Sequence, residues 1–148
     1  MISKNKIIEV KELVKKYGDL TAVCGISFDV FEGEIFGLLG PNGAGKTTTL
    51  EIIETLREPT GGEEFVNGLS VTANKDDVKK LIGVQLQQSG FYPNLTLTEL
   101  IKLFSGLYNI NCDPKEILEL VGLTEKSNAV YKTLSGGQKQ RFAVATTI

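Results

Sequence analysis

The chain has 148 residues, of which 41% are apolar and 23% charged, and its formal net charge is −2. This composition supports one domain with a hydrophobic core and argues against a disordered chain. Acidic and basic residues are mixed along the sequence, and the largest basic cluster is the short Lys139–Arg141, so the charge pattern excludes an extended nucleic-acid patch and a polybasic membrane anchor.

The sequence also indicates where the protein works. No apolar run approaches the roughly 18 residues needed to cross a bilayer. The opening residues MISKNKIIEVKELVKK carry charges where a signal peptide needs its apolar stretch. Cys24 and Cys112 form no CxxC pair, and we predict two ordinary buried thiols. These features predict a cytosolic protein.

The start of the chain has the alternation of apolar and polar residues that is typical of strands. The stretches IIEVKELVKKY and ISFDVFEGEIFGLLG predict two or three antiparallel strands, with a turn at Glu32 and Gly33. These strands lead into a fully apolar strand from Ile35 to Leu39.

A Gly-rich loop then runs into a helix that begins at about Lys46, and REPTGG ends this helix. EEFVNG predicts a short strand and a turn, and a second strand is predicted around Leu81 to Leu86. The apolar residues at helical spacing on the helix are Leu50, Ile53 and Leu56.

From about residue 95 onward the pattern is helical. Thr96 and Glu99 form a capping box in front of apolar residues at helical spacing. Asp113 and the proline after it begin a second helix. A second capping box, at the start of a third helix, consists of Ser135 and Gln138.

The loop before the first helix has the pattern GxxxxGK[ST], which binds the phosphates of a nucleoside triphosphate. Consecutive backbone N–H groups must point at the phosphates, and side chains would block that approach, which explains the glycines. The helix that follows adds the positive end of its dipole. The loop consists of Gly40, Pro41, Asn42, Gly43, Ala44, Gly45, Lys46 and Thr47.

Three side chains of this loop and its helix carry the chemistry. Lys46 supplies a positive charge to the terminal phosphates, and the Thr47 hydroxyl is placed to bind Mg²⁺. Thr48 is expected to hydrogen-bond a phosphate nearer the sugar. The loop alone predicts triphosphate binding and does not separate GTPases, kinases, helicases and transporters.

A second motif narrows the class. Leu134–Gln138 reads LSGGQ and precedes a helix, which alone would be an ordinary capped turn. Some ninety residues after a phosphate loop and beyond a helical segment, it resembles the signature sequence of the ATP-binding cassette (ABC) ATPases. The resemblance covers essentially the whole chain. It implies that Ser135, Gly136, Gly137 and Gln138 contact nucleotide.

Weaker features agree with this family. Tyr17 lies in the first β-rich stretch, where the family often places an aromatic residue that stacks on adenine. Gln87 falls where the family has a glutamine that touches Mg²⁺ and the attacking water, although Gln85 and Gln88 compete for that role. The run FYPNLTLTEL resembles the corresponding segment of drug- and polymer-exporter ATPases.

The resemblance implies an α/β fold: a phosphate-loop NTPase core with an N-terminal antiparallel β subdomain and a helical subdomain. It places the β subdomain and the phosphate-loop part of the core in residues 1–94, and the helical subdomain in residues 95–148. The implied ligands are ATP and Mg²⁺. The implied partners are a transmembrane permease subunit and a second cassette, which binds head to tail so that each ATP meets the other chain's signature helix. This arrangement places the protein at the inner face of the cell membrane.

Hydrolysis in this family needs an apolar strand ending in Asp, a Glu after it and a His near the γ-phosphate. The sequence contains no histidine, and no acidic residue after Thr47 follows four apolar residues. We therefore expect a cassette truncated after the signature helix, poorly stable and inactive as an ATPase alone. The alternative to a transporter subunit is a soluble ABC-type ATPase of translation or another non-transport process.

Overall fold

The computed structural model describes residues 5–85 and 90–147. It divides the chain into two compact units, Met1–Ile82 and Gly83–Ile148. The first unit contains an antiparallel sheet with two helices, and the second is helical. The domain boundary at 94/95 that the family resemblance implies stays a prediction.

The first unit is built on a long hairpin. Strand β1 (Lys6–Tyr17) pairs antiparallel with β2 (Leu20–Phe31), which confirms the antiparallel strands predicted for this stretch. Val23 of β2 is buried, whereas Cys24 is exposed. The prediction of two buried thiols is therefore wrong. Cys24 is exposed because successive side chains of a strand point to opposite faces and Val23 takes the inner one, and Cys112 is only half-buried.

The sheet is completed on the other side of β1. Strand β3 (Gly61–Val66) pairs antiparallel with β1, and β4 (Leu69–Ser70) pairs with β3, so the strand order is β2-β1-β3-β4. Asn67 and Gly68 separate β3 from β4, and an Asn-Gly pair is the preferred two-residue hairpin loop. The strand and turn predicted for EEFVNG are confirmed.

Helix α1 (Lys46–Ile53) begins where the sequence predicts but presents a different face to the core. Thr49, Ile52 and Ile53 are buried, whereas Leu50 is exposed, so the predicted face of Leu50, Ile53 and Leu56 is wrong apart from Ile53. The helix ends before Leu56 because Thr55 adopts a left-handed conformation with φ 63°.

Two predicted strands are wrong. Residues 34–40 have no regular secondary structure, and Ile35 and Leu39 are almost fully exposed. A strand needs a hydrogen-bonded neighbour, and among the described residues no strand pairs with this stretch. Leu81 ends helix α2 (Lys75–Leu81), and residues 82–85 are irregular. The charges of α2 suit a helix, since Asp76 and Asp77 lie in its first turn and lysines in its last.

The second unit contains α3 (Leu97–Tyr108), α4 (Pro114–Leu120) and α5 (Gly136–Ala145), each beginning where the sequence predicts. Their apolar residues form one buried cluster. An aromatic group of Phe91, Phe104, Tyr131 and Phe142 packs in this unit, with ring centroids 5.0–5.9 Å apart. The described parts of the chain, 5–85 and 90–147, contain no helix long and apolar enough to cross a membrane.

The core of the first unit contains one acidic residue, Glu64 of β3, which is 1% exposed among buried valines, leucine and isoleucines. Neither of its carboxylate oxygens has a hydrogen-bond partner among the described residues. Burial, with a smaller contribution from the charge of Glu63, raises the pKa of Glu64 to about 7. The buried carboxyl therefore holds a proton under conditions where an exposed one has lost it.

We expect Glu64→Gln to stabilise the first unit at pH 8 and to change little at pH 5. The pKa of Glu64 is raised above its ordinary value of 4.5, so the free energy of unfolding falls as pH rises from 4.5 to about 7. The gain at pH 8 should be about 3 kcal/mol, because glutamine avoids the cost of ionising a buried carboxyl whose pKa is raised from 4.5 to about 7. Urea unfolding at both pH values measures it, with exposed Glu32→Gln as the control. An equal gain at both pH values would contradict the protonation argument.

Candidate nucleotide-binding site

The phosphate loop, residues 40–47, joins the irregular segment after β2 to helix α1. Gly43 and Gly45 have φ values of 84° and 81°, in the left-handed region that favours glycine. A Cβ atom at Gly45 would lie 2.3 Å from the carbonyl oxygen of Ala22 and 3.0 Å from Cγ2 of Val23. The loop therefore lies directly on β2 at Gly45, and only glycine fits there.

The amino end of α1 is open to an anion. Gly45 is the N-cap residue, no side chain caps the helix, and its first turn contains no acidic residue. The first backbone N–H groups of a helix have no partner within the helix, and they carry the positive end of its dipole. This combination of free donors and positive potential is suited to phosphate.

Lys46 lies across the loop. Its Nζ atom donates hydrogen bonds to the carbonyl oxygens of Gly40 and Pro41, both at 2.7 Å. Its side chain is half-buried, whereas Thr47 is exposed and Thr48 is half-buried. One ammonium group is thus fixed at the mouth of the loop, where the terminal phosphates are predicted to lie.

Thr47, the predicted Mg²⁺ ligand of the loop, is an exposed residue in the first turn of α1. Mg²⁺ usually keeps several water ligands and takes one or two protein ligands together with phosphate oxygens, so a single exposed hydroxyl fits the ion. Among residues 5–85 and 90–147, no group of three His, Cys, Asp or Glu side chains could hold a metal by itself. Gln87, the second predicted magnesium contact, lies outside the described residues, as does Gln88. Gln85 is exposed.

Tyr17 is the last residue of β1, paired with Leu20, and is 41% exposed. Two cations lie near its ring: Lys15 Nζ at 5.0 Å and Arg57 Cζ at 5.9 Å from the ring centroid. An exposed aromatic ring can stack on a nucleotide base. Sequence reasoning missed Lys15 and Arg57, since no local motif marks them and only the fold brings residue 57 near residue 17.

The signature residues form the amino end of α5 in the second unit. Ser135 Oγ accepts from the Gln138 N–H at 3.3 Å, and the Ser135 N–H donates to Gln138 Oε1 at 2.9 Å. This confirms the predicted capping box. Ser135 and the next residues, Gly136 and Gly137, are exposed, and the first turn has no acidic residue. Buried Leu134 precedes the cap and buried Phe142 follows it, so the exposed end lies between two core contacts.

A glycine-rich loop that opens onto an uncapped helix, in a unit with an antiparallel sheet, defines a phosphate-loop nucleotide-binding domain. The family model described as "ABC transporter" matches residues 23–148. The chain therefore belongs to the ABC transporter family, and the predicted family and α/β fold class are confirmed.

Curated relatives in this family have transport and resistance functions in their names. The chain is 37% identical over 147 residues to a probable multidrug ABC transporter ATP-binding protein of Escherichia coli, covering 96% of this chain and 25% of the relative. It is 36% identical to a linearmycin resistance ATP-binding protein of Bacillus subtilis and 35% identical to a bacitracin transport ATP-binding protein of Bacillus licheniformis, covering 96% of this chain and 47% of each. The chain thus spans less than half the length of these three relatives.

Solved structures give the same fold. The structure of an ATP-binding subunit of an ABC transporter matches with a TM-score of 0.80 and 27% identity, covering 95% of this chain and 61% of that one. The ADP conformation of the ATP-binding cassette MJ1267 matches with a TM-score of 0.82, covering 96% of this chain and 64% of that one. At 21% identity, the second match supports the fold alone.

Proposed function

We propose that this chain binds ATP with Mg²⁺ and belongs to the energy-coupling subunit of an ABC exporter. The observation that carries the proposal is the phosphate loop, where the Lys46 ammonium lies 2.7 Å from two loop carbonyls beside the uncapped end of α1. Phosphate oxygens are stronger acceptors for an ammonium than neutral carbonyls are. Lys46 therefore gains by exchanging its loop contacts for the terminal phosphates.

Each residue around the loop has a proposed role. The N–H groups between Asn42 and Thr48 bind phosphate oxygens, and the Thr47 hydroxyl is a Mg²⁺ ligand. The bound ion neutralises charge that develops on the phosphates. Tyr17 stacks on the base, and Gln87 is proposed to contact the metal and the attacking water.

The amino end of α5 is proposed as a second phosphate-binding end, used by the ATP of another cassette. The Ser135 Oγ atom accepts from the Gln138 N–H, so its own hydroxyl proton remains available for a phosphate oxygen. Gly136 and Gly137 expose their backbone without side chains in the way. ATP between two cassettes would then stabilise a head-to-tail dimer, and its hydrolysis would release it.

The names of relatives support the proposed direction of transport and the proposed partner. Their names specify multidrug transport, linearmycin resistance and bacitracin transport. We propose that this chain acts at the cytoplasmic face of the membrane, bound to a permease subunit that exports small toxic molecules. The test is affinity purification of the tagged product of its own gene in mild detergent. A membrane protein that co-purifies supports the exporter, whereas ribosomes would favour a soluble ABC-type ATPase.

The residues that hydrolysis requires in this family are not found in these 148 residues. The sequence has no histidine and no apolar strand ending in Asp-Glu, and the curated relatives are at least about twice as long. We propose that hydrolysis belongs to a longer protein that contains these residues.

We expect the purified 148-residue chain to show no Mg²⁺-dependent ATP turnover above background. The reason is that the loop can bind phosphates, but no described group can activate water beside them. Phosphate release measured with excess ATP tests this, with the Lys46→Ala chain as the blank. Robust turnover that Lys46→Ala abolishes would overturn the expectation.

A further inference from the structure

Arg57 lies in the segment that joins α1 to β3, and its side chain connects two parts of the first unit. The guanidinium forms a salt bridge with the carboxylate of Glu51, on α1. Its Cζ atom lies 5.9 Å from the centroid of the Tyr17 ring, at the end of β1. One side chain thus contacts both the helix that follows the phosphate loop and the aromatic residue predicted to stack on the base.

The backbone around Arg57 is fixed on both sides. Its N–H donates to the carbonyl oxygen of Glu51 at 3.0 Å. After it, Lys15 Nζ donates to the carbonyl oxygen of Glu58 at 2.8 Å, and the Thr60 N–H donates to the carbonyl oxygen of Val14 at 2.8 Å. The segment is therefore bound to α1 on one side and to β1 on the other, which limits where the guanidinium can lie.

The Tyr17 ring is partly exposed and lies close to positive charge. It is 41% exposed, and the two cations near it are Lys15 and Arg57. A cation near the face of an aromatic ring attracts it by an amount equal to about a two- to fivefold change in an equilibrium constant at an exposed site. Lys15 lies on the same strand as Tyr17, so Arg57 is the contact that relates the ring to α1.

We propose that Arg57, held by Glu51, is a positioning residue that sets the place of the Tyr17 ring relative to the phosphate-loop helix, and thereby the affinity for the nucleotide base. This inference rests on the proposed binding of ATP at the loop and on the stacking role of Tyr17. The distance between the ring and α1 must match the distance between base and phosphates in one bound nucleotide. The Glu51–Arg57 pair fixes that distance.

The test compares a ligand that has a base with one that has none. Affinities for Mg²⁺–ATP and for Mg²⁺–inorganic triphosphate are measured by calorimetry on the product of the chain's own gene. Arg57→Gln should weaken ATP binding two- to fivefold and leave triphosphate binding unchanged. Glu51→Gln should give a smaller loss of the same kind, and Arg57→Lys should restore part of the affinity. The control is Lys11→Gln, which removes a cation 5.3 Å from the Phe65 ring on the same sheet.

Repeating the Arg57 substitution in a protein that lacks the Tyr17 ring distinguishes positioning of the ring from direct contact between Arg57 and the nucleotide. In a Tyr17→Leu protein, Arg57→Gln should have no further effect on ATP affinity, since the ring that it positions is gone. An undiminished loss in that background would mean that Arg57 touches the nucleotide itself, and it would overturn the proposal. An equal loss for triphosphate and ATP would also overturn it, because Arg57 would then support the loop in general. If Lys46→Ala binds both ligands as tightly as the unchanged protein does, the proposed ATP site is wrong, and this inference is wrong with it. If Lys46→Ala weakens binding but Arg57→Gln does not lower the affinity for ATP relative to triphosphate, only the positioning role of Arg57 is wrong.

Discussion

Lys46→Ala is expected to weaken the binding of Mg²⁺–ATP roughly ten- to a hundredfold, the effect of losing charge-assisted hydrogen bonds to the terminal phosphates. The same change should barely affect folding. The two carbonyls that accept from Lys46 belong to Gly40 and Pro41, which are exposed, so water replaces the ammonium there. Calorimetric titration with ATP measures the affinity, and urea unfolding measures the stability of the same samples.

The matched control is Lys79→Ala. Lys79 is an exposed lysine on α2, and its one ion-pair contact among the described residues, with Asp76, is long at 3.8 Å. The Lys79→Ala substitution removes one positive charge from the same unit and leaves the phosphate loop unchanged, so it tests whether net charge alone attracts ATP. An affinity that falls equally in both variants would assign ATP attraction to the general field of the protein. It would contradict a specific role for Lys46.

The motifs of this chain were predictable because their geometry is local. A capping box closes within three residues, and both boxes, at Thr96 and at Ser135, form as the sequence predicts. Likewise α1 starts at Lys46, immediately after the glycine that forces the turn. Local hydrogen bonds and backbone sterics determine these features, so a short window of sequence contains the needed information.

The failed predictions concern features that depend on distant partners. Ile35 to Leu39 has the apolar composition of a buried strand, but composition does not supply the neighbouring strand that must hydrogen-bond to it. The buried face of α1 was misjudged in the same way. Helical spacing fits Leu50 and Leu56 as well as Thr49 and Ile52, and only packing against the sheet selects the second pair.

The same distinction between local and distant contacts applies to the residues of the candidate site. The residues of the phosphate loop and of the signature turn are adjacent in sequence, so a pattern finds them. Arg57 and Lys15 meet at Tyr17 only because the segment after α1 folds back along β1. Contacts of that kind follow from the topology of the sheet, which no single motif encodes.

Gly45→Ala is expected to damage both the stability of the first unit and its binding of ATP. The added Cβ would lie 2.3 Å from the carbonyl oxygen of Ala22, and φ at this position is 81°. The left-handed conformation costs about 1–2 kcal/mol for alanine, and overpacking adds about 1–3 kcal/mol, so we expect the free energy of unfolding to fall by about 2–5 kcal/mol. Relief of the overlap requires the loop or β2 to move, so ATP affinity should fall as well.

Gly43→Ala separates the two causes, because it shares the backbone conformation without the overlap. Its φ is 84°, and a Cβ there would meet no atom within 4 Å. We therefore expect only the conformational cost of about 1–2 kcal/mol. Urea unfolding and ATP titration of both variants give the comparison. Equal losses would mean that the contact between Gly45 and β2 does not constrain the loop, whereas a larger loss at Gly45 shows that β2 holds the phosphate loop in the shape that its ligand needs.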